Sequence, residues 1–394
     1  MMLTTHKRAL LAAMVLLCGG GVFWKISDGV RRERLNAPLI EAVQKEDPAA
    51  VQKLLEQGAD PNARVQDPNA PHTLLAFLRK LFSDSRHAGH SEAPTALILA
   101  AQRNEGDQVA RLLLDKGADK ELAGTFGYSW FEPGSVGTPL ITAACNRHAS
   151  ILRLLLERGA NPNAASSTKQ TALMFVAVKG EVGMAKLLLD RGADPNARDS
   201  YGNFALGDTA DWLQRYETEH PLYDLDGKTP LSPEAAHLRM VQLLLAAKAQ
   251  PNARFANGAT ALSTAANGKH PTLIRALLDG GADPRQVDNN GRNALHYALD
   301  TFNDWDSHIS DARRMETIRL LLQSGLDINV QSKSGETALI MAASEQDTPI
   351  VRLLLSYHPD LNIVCSSTGM TALQTAKDQY DQEVYRLLKQ AGAK

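Results

Sequence analysis

GTPLITAACNRHASILRLLLERGANPN, residues 137–163, is the stretch whose reading decides the fold. It encodes two short helices and a hinge. Thr138 offers a hydroxyl to free backbone N–H groups, and Pro139 has the fixed φ that suits a first turn. Leu140, Ile141, Ala143 and Ala144 follow at helical spacing, and polar Asn146-Arg147-His148 sits where the chain must reverse. Ile151, Leu154, Leu155 and Leu156 form a second apolar stripe, which Gly159 ends as a residue able to take φ > 0. Neither helix can bury its stripe alone, so the stretch makes physical sense only if it is repeated and stacked.

It is repeated. With Leu140 as the register mark, the same frame recurs at Leu39, Leu97, Leu173, Leu206, Leu262, Leu295, Leu339 and Leu373. The spacings 140 to 173, 173 to 206 and 262 to 295 are each 33 residues, and 339 to 373 is 34. The other spacings, 58, 43, 56 and 44, exceed the period by 25, 10, 23 and 11 residues. The opening triplet reads Thr138-Pro139-Leu140, Thr95-Ala96-Leu97, Thr171-Ala172-Leu173, Thr260-Ala261-Leu262, Thr337-Ala338-Leu339 and Thr371-Ala372-Leu373. Asn293-Ala294-Leu295-His296-Tyr297-Ala298 is a fuller form. A second signature, L-L-x-x-G-A, begins at Leu54, Leu113, Leu155, Leu188 and Leu277. A D/N-P-N-A tail follows at Asp60, Asn161 and Asp194, with Gln250 in the same place.

Over roughly residues 36–394 this pattern resembles the ankyrin repeat, with its period of 33 and its T-P-L-H-x-A signature. The resemblance implies an all-α solenoid of about nine helix-turn-helix repeats. It implies β-hairpin fingers between repeats and protein recognition on the face made by fingers and first helices. It also implies a structural role for His296, which corresponds to the signature histidine.

The chain has 394 residues, 44% of them hydrophobic and 22% charged, with a net charge of −2. No basic field argues for a nucleic-acid partner. Cys18, Cys145 and Cys365 are the three cysteines. Cys145 and Cys365 lie six repeats apart in the sequence, which predicts no disulfide between them, because that bond needs Cα atoms within about 7 Å.

The N-terminus carries Lys7 and Arg8, then an uncharged run, Ala9 to Trp24. As a helix this run spans about 24 Å, somewhat short of a hydrocarbon core of about 30 Å. Residues 1–29 therefore read as a hydrophobic helix of one of two kinds, a cleaved signal peptide or a transmembrane signal anchor with membrane contact through residues 9–26. Residues 30–37 read as a polar, basic linker, and 38–394 as the repeat domain. A basic start before an apolar run suits export. The expected location is the bacterial envelope: anchored in the inner membrane with the repeats in the periplasm, or periplasmic after cleavage. A scaffold on the cytoplasmic side of the membrane is the alternative.

The departures from the period place insertions near residues 65–92, 121–136, 207–231 and 300–314. The first contains an amphipathic stretch, His72 to Ser85, suited to packing on the repeats or to meeting a partner or a membrane. The second holds Phe126, Tyr128, Trp130 and Phe131 among glycines. The third and fourth fall between the two helices of a repeat. They carry Trp212 and Tyr216, and Trp305; Ser232-Pro233-Glu234 restarts the helix after the third. Three of the four tryptophans lie in insertions and the fourth in the N-terminal run. A repeat core has no need of them, and aromatic side chains are enriched at protein interfaces. Phe126, Tyr128, Trp130, Phe131, Trp212, Tyr216 and Trp305 are accordingly the expected contacts with a protein partner. An immunity-type inhibitor of a secreted toxin is one concrete form of such a module.

No spacing ties a nucleophile to a base, and there is no Gly-rich phosphate loop after a strand. His87, His90 and Glu92 lack a closing set of ligands for a metal. The expectation is a monomeric binding protein, not an enzyme, with no cofactor.

Overall fold

A computed structural model describes residues 31–32, 34–65, 93–103, 105–126, 135–211, 221–225, 228–300 and 311–394. The chain divides into two compact units, residues 1–168 and 169–394. The N-terminal apolar run lies outside the described residues. Among the described residues no helix is long and apolar enough to cross a membrane.

The described helices fall into consecutive pairs. In the first unit these are α1 (34–44) with α2 (Pro48–Glu56), α3 (Ala96–Ala101) with α4 (Asp107–Asp115), and α5 (Pro139–Cys145) with α6 (Ala149–Glu157). In the second they are α7 (Ala172–Val178) with α8 (Val182–Asp190), α9 (Ala205–Asp211) with α10 (Pro233–Ala246), and α11 (Ala261–Asn267) with α12 (Pro271–Asp279). There follow α13 (Ala294–Leu299) with α14 (Asp311–Gln323), α15 (Ala338–Ser344) with α16 (Thr348–Leu355), and α17 (Ala372–Asp378) with α18 (Gln382–Gln390). Residues 34–37, expected as linker, are already helical, and Asn36 Oδ1 accepts the Asp60 N–H at 3.1 Å. The buried face of α1 is Leu39, Ile40, Ala42 and Val43.

Every register leucine is buried, from Leu39 and Leu295 at 0% exposure to Leu373 at 5%. Five of the six threonine-led triplets cap their first helix. The hydroxyls of Thr95, Thr138, Thr260, Thr337 and Thr371 each accept the N–H three residues on. Thr171 is the exception, making no such bond. The reversal between paired helices uses a left-handed residue, Arg147 at φ 62° and Gln346 at φ 57° among them. The second helices end on Gly58, Gly117, Gly159, Gly192, Gly281 and Gly325, all at positive φ. His358 stands in that place in α16's repeat and takes φ 53°. The last helix, α18, buries Val384 and Leu388 and leaves much of its surface to solvent, as a terminal repeat requires.

Side-chain amides stitch neighbouring repeats together in each unit. Asn62 Oδ1 accepts from Asp119 N at 2.7 Å in the first. Asn196, Asn252 and Asn329 accept from Gln250, Asp283 and Asp360 N–H groups at 2.8, 2.7 and 2.8 Å in the second. Helices are not the whole of the secondary structure. Strand β1 (Gly124–Thr125) pairs with β2 (Val136–Gly137), and β3 (Leu222–Tyr223) with β4 (Pro230–Leu231), both antiparallel.

Candidate functional site

The projecting edge of each unit is built by its fingers. In the second unit, Asp199 shapes one tip by accepting the Tyr201 and Asn203 N–H groups at 2.9 and 2.8 Å. Asp288 shapes another, accepting from Asn290 and Arg292, each at 2.8 Å. Adjacent tips join through backbone bonds: Asn289 N to Asn257 O at 2.9 Å, Lys333 N to Asn290 O at 2.7 Å, Ser367 N to Ser334 O at 2.9 Å. A long side chain at each finger root clasps carbonyls. Arg198 Nη1 donates to Gly202 O and Arg254 O, both at 2.8 Å, and Gln331 Nε2 donates to Gly335 O and Val364 O at 3.0 and 3.1 Å. In the first unit Arg64 donates to Ala93 O and Ala123 O at 2.5 and 2.7 Å. The fingers are therefore a pre-formed edge, held by these bonds before any ligand arrives.

Two clusters back that edge. Phe204 and Phe255 rings lie 4.7 Å apart between centroids, with the Arg198 guanidinium 4.9 Å over Phe204. Further along, Tyr297 donates to Asp288 Oδ2 at 2.8 Å, and Arg292 lies over the Tyr297 ring and pairs with Asp300 at 2.7 Å. Burial pushes the Tyr297 phenol up, aided by its bond to Asp288. His296 Nδ1 lies 2.6 Å from Asn293 Oδ1 and Nε2 lies 3.1 Å from Glu336 O. Burial holds that imidazole below its usual value, against the opposing pull of the Glu336 carbonyl. His296 thus has the structural part its signature position implies. These polar groups are spent on one another, which makes the face a rigid surface.

The structure corrects one expected contact. Phe126 is 1% exposed. A Cβ placed on Gly137 would stand 2.8 Å from its ring, so the ring packs against the finger's own returning strand. Its apolar area is spent inside the repeat, where a glycine opposite makes room for it. Tyr128, Trp130, Phe131, Trp212, Tyr216 and Trp305 lie outside the described residues, as do His87, His90 and Glu92.

The roots of the two inter-helix insertions are described, and ion pairs fasten them. Asp224 pairs with Arg239 at 3.2 Å, Glu234 with Arg313 at 3.0 Å, and Arg314 with Asp347 at 2.6 Å. Ser232 caps α10 as expected, accepting from Ala235 N at 3.2 Å. α10 and α14, the helices that follow these insertions, run to 14 and 13 residues, where α6, α8 and α12 have 9.

Exposed apolar side chains also stand outside the insertions. Tyr201 is 57% exposed at a finger tip, Val364 49% on another finger, and Tyr380 87% in the last inter-helix turn. Tyr201 lies in the turn D-S-Y-G-N of an uninterrupted connection, and its signal was an aromatic ring where a turn needs none. Among the described residues no group of three His, Cys, Asp or Glu side chains could hold a metal ion.

A family model described as ankyrin repeats in three copies covers residues 129–199, 232–305 and 308–394, and one for a single ankyrin repeat covers 34–65. The chain is similar to the mouse B-cell lymphoma 3 protein homolog, 33% identical over 159 residues, 39% of this chain and 33% of that one. It is similar to the human photoreceptor ankyrin repeat protein, 38% identical over 97 residues, 24% of this chain and 19% of that one. These matches span a third or less of each relative's length. Among solved structures, the ankyrin repeat domain of Bcl-3, described as a member of the IkappaB protein family, is similar at 24% identity. That likeness covers 64% of this chain and 98% of that one, with a TM-score of 0.49.

Proposed function

The chain belongs to the ankyrin repeat family, and from that premise we propose that it is a protein-binding module of nine repeats that acts as a monomer by equilibrium recognition. The observation that carries the reading is the pre-formed finger edge, its tips hydrogen-bonded in series and its roots clasped by Arg198 and Gln331. Tyr201 stands exposed on that edge. The partner is a protein. It meets the fingers and first helices, with Tyr128, Trp130, Phe131, Trp212, Tyr216 and Trp305 as additional contacts. Insertions on a repeat scaffold commonly carry such specificity.

The same proposal places the module at a bacterial membrane. Residues 9–26 are the tether, and the repeats lie on the periplasmic side. The support is the uncharged run Ala9 to Trp24 behind the basic start Lys7-Arg8, a pattern used for export; the flanking charges, with Lys25, Arg31, Arg32 and Arg34 after the run, do not themselves set the orientation. The test has two parts. Full-length tagged chain is captured from detergent-solubilised envelope and from the soluble fraction, and one protein in stoichiometric amount is expected in the envelope arm. Protease added to intact spheroplasts should digest the repeats. No stoichiometric partner in either fraction overturns the binding reading, and protected repeats overturn the placement alone.

A further inference from the structure

His270 holds the N-cap position of α12, and its side chain caps nothing. The residue is 3% exposed, and among the described residues neither ring nitrogen has a hydrogen-bond partner. The histidine at the same N-cap position of α6, and another buried histidine inside α10, are both satisfied. His148 Nδ1 lies 2.8 Å from Ala101 O in the first unit. His237 Nδ1 lies 2.7 Å from Pro233 O and its Nε2 3.3 Å from Val178 O. A buried polar ring without a partner is destabilising, so its presence calls for a reason.

The surroundings are cationic. On its own turn, Lys269 is fully buried and donates Nζ to the Asp300 carbonyl at 2.8 Å. From α10 comes His237. From the same helix comes Glu234, whose carboxylate is taken by Arg313 Nη2 at 3.0 Å and Thr272 Oγ1 at 2.7 Å. From α14 comes Arg313, while Glu316 of that helix is paired with Arg275 at 3.6 Å. Helix α11 brings no charged side chain, and the Asp300 carboxylate is held by Arg292. The positive end of the α12 dipole adds to the field. A Cβ on Gly268 would stand 2.4 Å from His270 Nε2, so the ring is closed in on the backbone side as well.

We propose that the turn 266–271 is an acid-opened latch, in which protonated His270 has no acceptor and leaves its site, withdrawing Lys269 from the end of α13. Burial first, then Arg313, His237 and Lys269, hold the closed ring's value down to about 3, from 6.5. The opened ring takes a proton at its ordinary value. Linkage then raises the opening constant by about 25-fold between pH 7 and pH 5.

Hydrogen exchange on the full chain, corrected for the intrinsic pH dependence of exchange, reads this opening. The reporters are the amides of Lys269, His270 and Ile274, bonded to Ala266 O, Ala265 O and His270 O. Their protection should fall by about 25-fold from pH 7 to pH 5 in the wild type and stay level in His270→Leu and His270→Gln. Amides of α17 should show no such fall in any of the three. An equal fall in the variants overturns the latch. Titration of the wild-type ring by NMR needs no variant: a ring that stays neutral at pH 5 while the turn is closed supports the latch, and one that protonates near pH 6.5 with the turn closed overturns it.

Discussion

Leu155→Ala tests the packing of the first unit. Leu155 is 0% exposed in α6, beside Ile151, Leu152, Leu154 and Leu156, none above 5%. The substitution removes three carbon atoms. At about 0.8 kcal/mol for each methylene-sized group the transfer loss is about 2.4 kcal/mol. A residual cavity of about 50 Å³ at about 24 cal/mol per Å³ adds roughly 1.2 kcal/mol. The expected cost is therefore about 3.5 kcal/mol, large against the stability of about 5–15 kcal/mol common in single domains. Urea unfolding followed by circular dichroism at 222 nm reads it. With a slope of about 2 kcal/mol per molar the first transition should move down by roughly 1.8 M. Leu155→Asp should remove that transition, because a buried unpaired charge costs more than a cavity. Val364→Ala, at a half-exposed position, should stay within about 0.5 kcal/mol of wild type. A loss below about 1 kcal/mol for Leu155→Ala would refute the reasoning, since packing of that stripe is what the stack rests on.

Three further outcomes follow from particular contacts. Arg64→Ala leaves two finger carbonyls without their donor and should cost about 1.5–3 kcal/mol by the same assay; Arg64→Lys should not restore it, because an ammonium cannot fork to both. His358→Gly relieves a left-handed residue that is exposed, so it should raise stability by up to about 1 kcal/mol, seen as a higher thermal midpoint. Stability should fall on mild acidification. His270 has a folded value of about 3 and an ordinary value of 6.5, so the unfolded chain binds the proton first. Its contribution is complete above pH 6.5 and is lost as pH falls towards 3, at about 1.4 kcal/mol per unit, with His296 acting in the same direction.

Much of the fold is written in local chemistry. A threonine hydroxyl, a leucine and a glycine recur at fixed offsets because each helix pair needs a start, a buried stripe and a left-handed stop. Those needs are met within a few residues, so they are legible in the sequence. The root clasps of Arg64, Arg198 and Gln331 are not, because each needs an acceptor carbonyl 29 to 59 residues away. Nor was the fate of Phe126 legible. An aromatic ring in a glycine-rich loop has the same local signal whether it faces a partner or packs on Gly137. The buried Lys269 and His270 read as ordinary polar turn residues, since only the approach of α10, α13 and α14 encloses them. Tyr201 sits in a finger of regular length, where the repeat spacing gives no sign that its ring stands exposed.

Binding by the finger edge is the central claim, and Tyr201 is its described aromatic. Affinity of the purified full chain for its captured partner should be measured by calorimetry for wild type, Tyr201→Ala and Trp130→Ala, each first shown to keep its helical circular dichroism. Truncation of an interface aromatic typically costs more than about 1 kcal/mol, or about fivefold and upward in Kd. The account predicts such a loss for both variants with unchanged helicity. Unchanged affinity in both would contradict it.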